Sequence, residues 1–450
     1  MTAAQWLKEQ TYPAEDADLA SSAVVYIRKG AGRSLKAGGQ WIYDNEIDRI
    51  ESEVQDGDIL RVLDFDGYPL GYGFINRNSK IRIRMLTRYQ SEPVTPALFR
   101  MRVRDAWAYR KAVMGNDTDS CRVIFGEADF LPGITIDKFG NVLVIESLAL
   151  GTDRLKLLIL RALSEELEKD GITVGGIYER SDAKVRKLEG MQPEKGFSGP
   201  EFDTDVPIEE NGIRYIVDVK DGQKTGFFLD QKYNRAAVAK IVRNLESPRV
   251  LDCFTHTGSF GLNCAAAGAG YVLSVDASET AIRQAAENAE LNGYVETAED
   301  NTREAPSSAK TVIPMKRSDT GTAITYRTAD VFELLPELEE AGEKYDVVIL
   351  DTPAFTKSRQ ATRNAGKGYR EINLRGMRLV RNGGYLATCS CSHFMEEDLF
   401  RRTLHEAACS ARKRLRQVEF RTQAPDHPIL WGDSESYYLK FAIFQVVEEV

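Results

Sequence analysis

Cysteine is scarce in this chain: six in 450 residues, at positions 121, 253, 264, 389, 391 and 409. Most are scattered, and none stands at metal-site spacing from another cysteine or a histidine. Neither a disulfide framework nor a metal centre is expected, and a reducing, cytoplasmic compartment is. The one close pair, Cys389 and Cys391, is C-x-C, which suits neither a thioredoxin-type motif nor a zinc knuckle. Long apolar runs are missing as well. None approaches the roughly 20 residues of a membrane span, so no membrane partner is expected. Residues 1–20 lack the basic-then-apolar order of a secretory signal and read as a frayed arm or a short helix. Positive charge is not in excess: 59 Lys and Arg face 68 Asp and Glu, for a net −9. That argues against unspecific coating of nucleic acid and leaves room for a local basic patch. The fingerprint G-x-G-x-x-G is also absent, which makes a nicotinamide dehydrogenase a remote reading.

What remains is an ordinary globular composition on a chain too long for one core, so two or three domains are expected. Residues 1–22 form an arm. Residues 23–90 read all-β: short alternating runs (VVYIRK, DILRVLDF, LGYGFIN, KIRIRML) are separated by Gly-Gly and Asp-Gly turns, the pattern of a small barrel. Residues 91–200 open with a helix over Pro96–Met114 and continue as an α+β unit. From 201 to 450 strands alternate with helices, which implies a mostly parallel sheet covered on both faces. Strands are expected at 250–254, 271–276, 324–328, 345–350 and 385–388, and a helix at 396–415. Two final strands, 417–422 and 437–447, are joined without a helix. That antiparallel ending favours a Rossmann-like class I methyltransferase sheet over a dehydrogenase sheet. Residues 296–322, rich in Ser, Thr and Pro, read as an inserted surface loop, with Lys310, Lys316 and Arg317 as its cations.

Ligands of such sheets bind at the carboxyl ends of the strands. Here the first four strands end at or near Asp252, Asp276, Asp330 and Asp351. One strand-ending aspartate would be a helix cap; four in register read as a ring around one pocket. A ring of acids repels a pyrophosphate and suits the sulfonium and ammonium of S-adenosylmethionine. Phe254, Thr257 and Gly258 form the turn after the first strand, where glycine lets backbone approach a ligand. Ala277, Ser278 and Val331 follow the second and third aspartates and complete the expected cofactor site.

Taken together, VLDCFTHTGSFG (250–261), Val275-Asp276, Asp330-Val331-Phe332 and Asp351-Thr352-Pro353-Ala354-Phe355 resemble the successive motifs of the bacterial 23S ribosomal RNA methyltransferase I family, which makes 5-methylcytosine. The segments at 223–235, 125–140 and 178–190 resemble that family's pre-core and central regions. Residues 38–47 and 71–84 resemble its N-terminal PUA domain. The likeness spans nearly the whole chain apart from the first 20 or so residues and the 296–322 insert. It implies a PUA barrel, an α+β central domain and a class I methyltransferase domain. Ribosomal RNA, free or in a large-subunit precursor, is the implied partner, and a homodimer is among the assemblies it allows.

The implied chemistry needs a thiol. Carbon 5 of cytosine is a poor nucleophile, and a thiolate added at carbon 6 makes the ring enamine-like. The family's pattern is a cysteine between two serines after a Gly-Gly strand. Cys391, between Ser390 and Ser392, matches it; Cys389 reads as its structural neighbour. Asp351 is the expected partner for N3 of the base. Pro353 holds its turn, Phe355 is placed to stack on an extruded base, and His393 is a candidate for moving protons. Lys80, Arg82, Arg84 and Arg88 are the candidate phosphate contacts of the barrel. The chain departs from the family at Thr352, where a second proline is usual, and a looser turn is expected there. Two alternatives stand beside this reading. One is a same-fold enzyme acting elsewhere, such as N7 of guanine, with no need for cysteine. The other is a PUA-bearing scaffold whose methyltransferase domain has decayed.

Overall fold

The computed structural model describes residues 1–89, 91, 93–297, 311–355 and 362–448, with backbone alone at 362–365 and 434. The chain forms two compact units. One contains Met1–Ile208, Ile216–Asp230 and Pro425–Ser436; the other contains Glu209–Tyr215, Gln231–Ala424 and Tyr437–Val450.

In the first unit the amino terminus is an anchored helix, Ala3–Glu9, rather than a frayed arm. Thr2 and Gln5 close a capping box, and Ala3, Ala4 and Leu7 are buried. Six strands follow in the order Trp41–Tyr43, Ile81–Thr87, Pro69–Ile75, Ile59–Leu63, Ala20–Ile27, Ile47–Glu51. Their inward residues, among them Val25, Ile42, Leu60, Val62, Ile75 and Ile83, make one apolar core. The helix Pro96–Met114 starts with proline at its first turn, where no N–H is needed, and stops at Gly115. A five-stranded sheet runs Glu194–Phe197, Gly176–Ser181, Val142–Ser147, Ile134–Phe139, Ser120–Phe125. A buried ion pair, Arg110 with Asp129, also bonds the Asp426 carbonyl, and Asp426 Oδ2 accepts from Arg122 N–H. These bonds bring 425–436 into this unit, although its place in the sequence is between the last two strands of the other.

The second unit is a sheet of β1 (Arg249–Cys253), β2 (Tyr271–Asp276), β3 (Ala323–Thr328), β4 (Tyr345–Leu350), β5 (Val380–Ser390), β6 (Lys413–Arg421) and β7 (Lys440–Glu448). The order is β3-β2-β1-β4-β5-β7-β6, with β7 antiparallel to both neighbours and the other pairs parallel. Helices α1 (Lys232–Arg243), α2 (Ser259–Ala266), α3 (Glu279–Leu291), α4 (Val331–Glu340), α5 (Thr362–Leu379) and α6 (Glu397–Ala411) accompany it. Leu251, Leu273, Val275, Val348, Leu350 and Leu386 lie in its main core. Two expectations change. The insert is not wholly a loop: Val312–Lys316 pairs antiparallel with β3 and Val295–Glu296 pairs with it in turn. Residues 298–310, with Lys310, lie outside the described residues. The last helix stops at Ala411 rather than 415, because Arg412 takes a left-handed conformation (φ 55°) and β6 begins at once.

Candidate active site

The carboxyl ends of β1, β2, β4 and β5 carry the site. After β1 the chain turns sharply, with Phe254, His256 and Gly258 all at positive φ (62°, 51° and 83°). Gly261 opens α2 where a side chain has no room: a Cβ would lie 2.3 Å from Ser274 Oγ and 3.0 Å from Asp252 Oδ2. That closeness lets Gly261 N–H donate to Asp252 Oδ2 at 2.8 Å. Thr255 Oγ1 donates to the same oxygen at 2.5 Å, and Ser274 Oγ at 3.4 Å.

Asp252 is therefore not a wall of the pocket. It is fully buried, and burial pushes its carboxyl up to about 7. The nearby charge of Asp351 pushes the same way, against the three hydrogen bonds. Its place is beneath the turn, holding it. The other three aspartates are half-buried or exposed. Asp276 accepts from His256 N–H (3.0 Å) and Ser278 N–H (2.9 Å). Ser278 caps α3, Ala277 is exposed beside it, and Asp330 caps α4 by accepting from Phe332 N–H, with Val331 buried. Of the four carboxylates expected to ring one pocket, Asp330 is exposed, Asp276 and Asp351 are half-buried, and Asp252 is folded inward.

At β4 and β5 the thiols separate. Cys389 is fully buried; its Sγ donates to Asp351 Oδ1 at 2.9 Å, and Gln231 Nε2 donates to the same oxygen at 2.8 Å. Burial, followed by the Asp351 charge, raises the Cys389 thiol well above its ordinary pKa, so it stays protonated. Cys391 is half-buried, with Sγ 3.7 Å from the Thr352 carbonyl. Thr352 does not leave a loose turn: it is buried, and its hydroxyl donates to the Cys389 carbonyl at 3.0 Å, tying β4 to β5. Pro353 is exposed. Phe355 is held in an aromatic cluster, with ring centroids 4.7 Å from Tyr369, 5.7 Å from Phe332 and 6.5 Å from Phe254. Ser390 Oγ bonds Tyr369 OH at 3.0 Å, which fixes the residue between the cysteines.

Sequence reasoning missed two members. Gln231, at the foot of α1, bonds Asp351 and approaches Cys389 Sγ at 3.6 Å. Lys440 on β7 lies opposite Ser390 and is buried, and its Nζ donates to the Ser392 carbonyl (2.8 Å) and the Tyr438 carbonyl (3.0 Å). Burial lowers its ammonium to about 8, against the pull of Cys391, Cys389, Glu397 and Glu396. A lysine within an apolar terminal strand was the available signal.

The barrel cations divide. Lys80 is exposed and Arg82 half-buried, bonding the Asn76 carbonyl. Arg84 is paired with Glu127 (2.9 Å) and Glu189 (3.4 Å), with 11% of its side chain exposed. Arg88 is spent on the Leu35, Gly38 and Gly39 carbonyls. A second set was not foreseen: Arg28, Lys29, Arg33 and Lys36 line a cavity of about 310 Å³ with Phe65.

Comparison with known proteins agrees with this architecture. A PUA-like domain model matches residues 25–88, and a model described as S-adenosylmethionine-dependent methyltransferase matches 192–299. The chain is 34% identical over 429 residues to the ribosomal RNA large subunit methyltransferase I of Alteromonas mediterranea, covering 95% of this chain and all of that protein. To the protein of that name from Aeromonas salmonicida it is 37% identical, covering 93% and 98%. The chain belongs to the ribosomal RNA large subunit methyltransferase I family. A putative methyltransferase from Streptococcus mutans shares the fold (TM-score 0.72, 19% identity, 94% of this chain and 99% of that one). So does a putative methyltransferase complexed with SAH (TM-score 0.73, 18% identity, 94% and 99%). As a member of the methyltransferase I family this chain is an S-adenosylmethionine-dependent methyltransferase. The residues fit that cofactor: Asp276 and Asp330 offer carboxylate at the strand ends. Thr257 Oγ1, buried, has no partner among the described residues and lies in the turn. Among the described residues no helix is long and apolar enough to cross a membrane.

Proposed function

We propose that this enzyme forms 5-methylcytosine in 23S ribosomal RNA, with Cys391 as the attacking thiol. The observation that carries the assignment is the contrast between the two cysteines. Cys389 is enclosed and kept protonated against Asp351, whereas Cys391 is reachable at the carboxyl end of β5. S-adenosylmethionine, which Asp276 at the end of β2 and Asp330 at the start of α4 would hold, would supply an electrophilic methyl group. Cys391, as thiolate, adds to carbon 6 of the cytosine. The electron pair moves to carbon 5, which takes the methyl group as that group's bond to the donor's sulfonium sulfur breaks, and the neutral thioether is the leaving group. A base then removes the carbon 5 proton, the sulfur–carbon bond breaks and the thiolate returns. Asp351, beside the thiols, is the residue assigned to N3 of the ring. Phe355, already packed on Tyr369 and Phe332, fits a wall of the base pocket better than a free stacking platform. A base paired in a duplex is out of reach, so the target is single-stranded or flipped.

RNA recognition by the first unit is assigned to the Arg28, Lys29, Arg33, Lys36 and Phe65 cavity, with Lys80 and Arg82 as further contacts. Cations beside an exposed ring suit a phosphate and an unstacked base. Arg84 and Arg88, engaged internally, are assigned to structure. The test is Cys391→Ala with methylated nucleotides mapped by mass spectrometry. Loss of 5-methylcytosine with retained cofactor binding is expected; undiminished methylation, or a product at N7 of guanine, sinks the thiol mechanism.

A further inference from the structure

We propose that the groove between α6 and β6 binds the phosphodiester backbone of the RNA substrate away from the reacting base; this rests on the RNA methylation reading above. The groove encloses about 250 Å³, with Arg401, His405, Lys413 and Arg414 around a floor that includes Phe420 and Phe444. No carboxylate lines it among the described residues. Residues 401–421 carry seven Lys and Arg against two Glu, in a chain of net charge −9. A positive concentration on a negative chain attracts a polyanion to one place and repels it elsewhere. The cations are also held in position. Arg401 lies 4.1 Å from the Phe420 ring centroid and 2.9 Å from Glu397, and Lys413 is bonded to Glu448.

Position argues for the substrate's own strand. β6 is the free edge of the sheet, so its outer side faces solvent. Its Arg421 pairs with Phe441 of β7, and the adjacent Lys440 pairs with Ser390 of β5, between the two cysteines. Phe420 and Phe444 belong to the same apolar cluster as Phe355 and Tyr369. The groove therefore starts beside the catalytic end of the sheet and runs away from it along the edge. Arg414 is exposed and lines the groove at its β6 side, and Arg401 and His405 line it from α6. An RNA strand lying there presents phosphates to the groove while its target base reaches the end of β5.

The experiment measures binding of a fluorescent single-stranded large-subunit rRNA fragment by anisotropy from 50 to 200 mM salt, beside methylation of the same RNA. Arg414→Ala is expected to reduce the slope of log K against log salt by about 0.7, the value for one lost phosphate contact on a single strand. Arg414→Glu is expected to weaken binding about tenfold, raising KM for RNA while kcat at saturating RNA holds. Lys240→Glu, exposed on α1, serves as control and is expected to match wild type. Unchanged affinity and slope in Arg414→Glu, or an equal loss in Lys240→Glu, overturns the groove. Wild-type methylation with an unaffected Arg414→Glu removes the groove alone. Weakened binding in Arg414→Glu, with a wild type that methylates no RNA, removes the methylation reading and leaves the groove standing.

Discussion

Replacing Cys389 by alanine should damage stability and spare chemistry. The thiol is fully buried and sits 2.9 Å from Asp351 Oδ1 and 3.6 Å from Gln231 Nε2. Deletion removes a hydrogen bond to a charged acceptor, about 1.5–3 kcal/mol, and leaves a sulfur-sized void worth about 1 kcal/mol more. Asp351 keeps its bond from Gln231, so the loss does not reach the full penalty of an unpaired buried charge. The total is about 2.5–4 kcal/mol, which for a unit of this size lowers Tm by roughly 5–16 °C. Because burial and Asp351 hold this thiol protonated, it supplies no thiolate at neutral pH, and methyl transfer at 25 °C should stay within about tenfold of wild type. The assays are differential scanning fluorimetry of the intact protein and single-turnover transfer of radiolabelled methyl to RNA. The reasoning is refuted if Cys389→Ala keeps its Tm and cofactor affinity yet abolishes transfer, since the buried thiol would then take part in the reaction.

Three further outcomes follow from the same geometry. Thr352→Val removes the hydroxyl that bonds the Cys389 carbonyl and should destabilise the catalytic unit by about 1–2 kcal/mol, read as a lower Tm with a several-fold loss of kcat. Lys440 is depressed to about 8 when folded against about 10.4 unfolded, so its contribution is complete above 10.4 and is lost as pH falls through 8. Wild type should gain up to about 3 kcal/mol on Lys440→Met between pH 8 and 10.4; parallel denaturation curves for the two proteins would contradict this. Asp252 is shifted the opposite way, up to about 7, so its contribution is complete below about 3.9 and fades as pH rises through 7. Asp252→Asn should flatten the stability of the cofactor-free protein between pH 4 and 7, a difference of about 4 kcal/mol against wild type in chemical denaturation.

Much of the fold was legible because its signals are local. Alternating strands and Gly turns marked the barrel, and two helix-free final strands announced the antiparallel β7-β6 ending. The sharp turn after β1 and the aspartates at the strand ends could be placed from strand and helix spacing alone. What escaped depends on partners distant in sequence. Nothing near Lys440 shows that β7 inserts beside β5, so its approach to Ser392 is invisible before the sheet order is known. Gln231 precedes Asp351 by 120 residues and meets it only when α1 docks. Arg84 and Arg88 looked like phosphate contacts because cations alternate along their strand. Their carboxylate and carbonyl partners lie on other segments, and alternation says nothing of those. The edge strands within the insert were hidden by its polar composition: pairing to β3 supplies backbone bonds that composition does not report.

Thr352 shows how a departure from a family pattern is weighed once contacts are known. A second proline would stiffen the turn by fixing φ, but it has no donor to offer the Cys389 carbonyl. Threonine gives up that stiffness and supplies an O–H, and the bond it makes joins the residue after Asp351 to the strand that carries both cysteines. A domain decaying into a scaffold would leave such a substitution uncompensated, and the polar groups around it would be orphaned. Here Asp351 has Gln231 and Cys389, Ser390 has Tyr369, and Lys440 has two carbonyls. The substitution replaces one restraint by another at the same joint. On this argument Thr352→Pro should leave methyl transfer within a few-fold of wild type while Thr352→Val falls below both, because valine has neither the ring nor the hydroxyl.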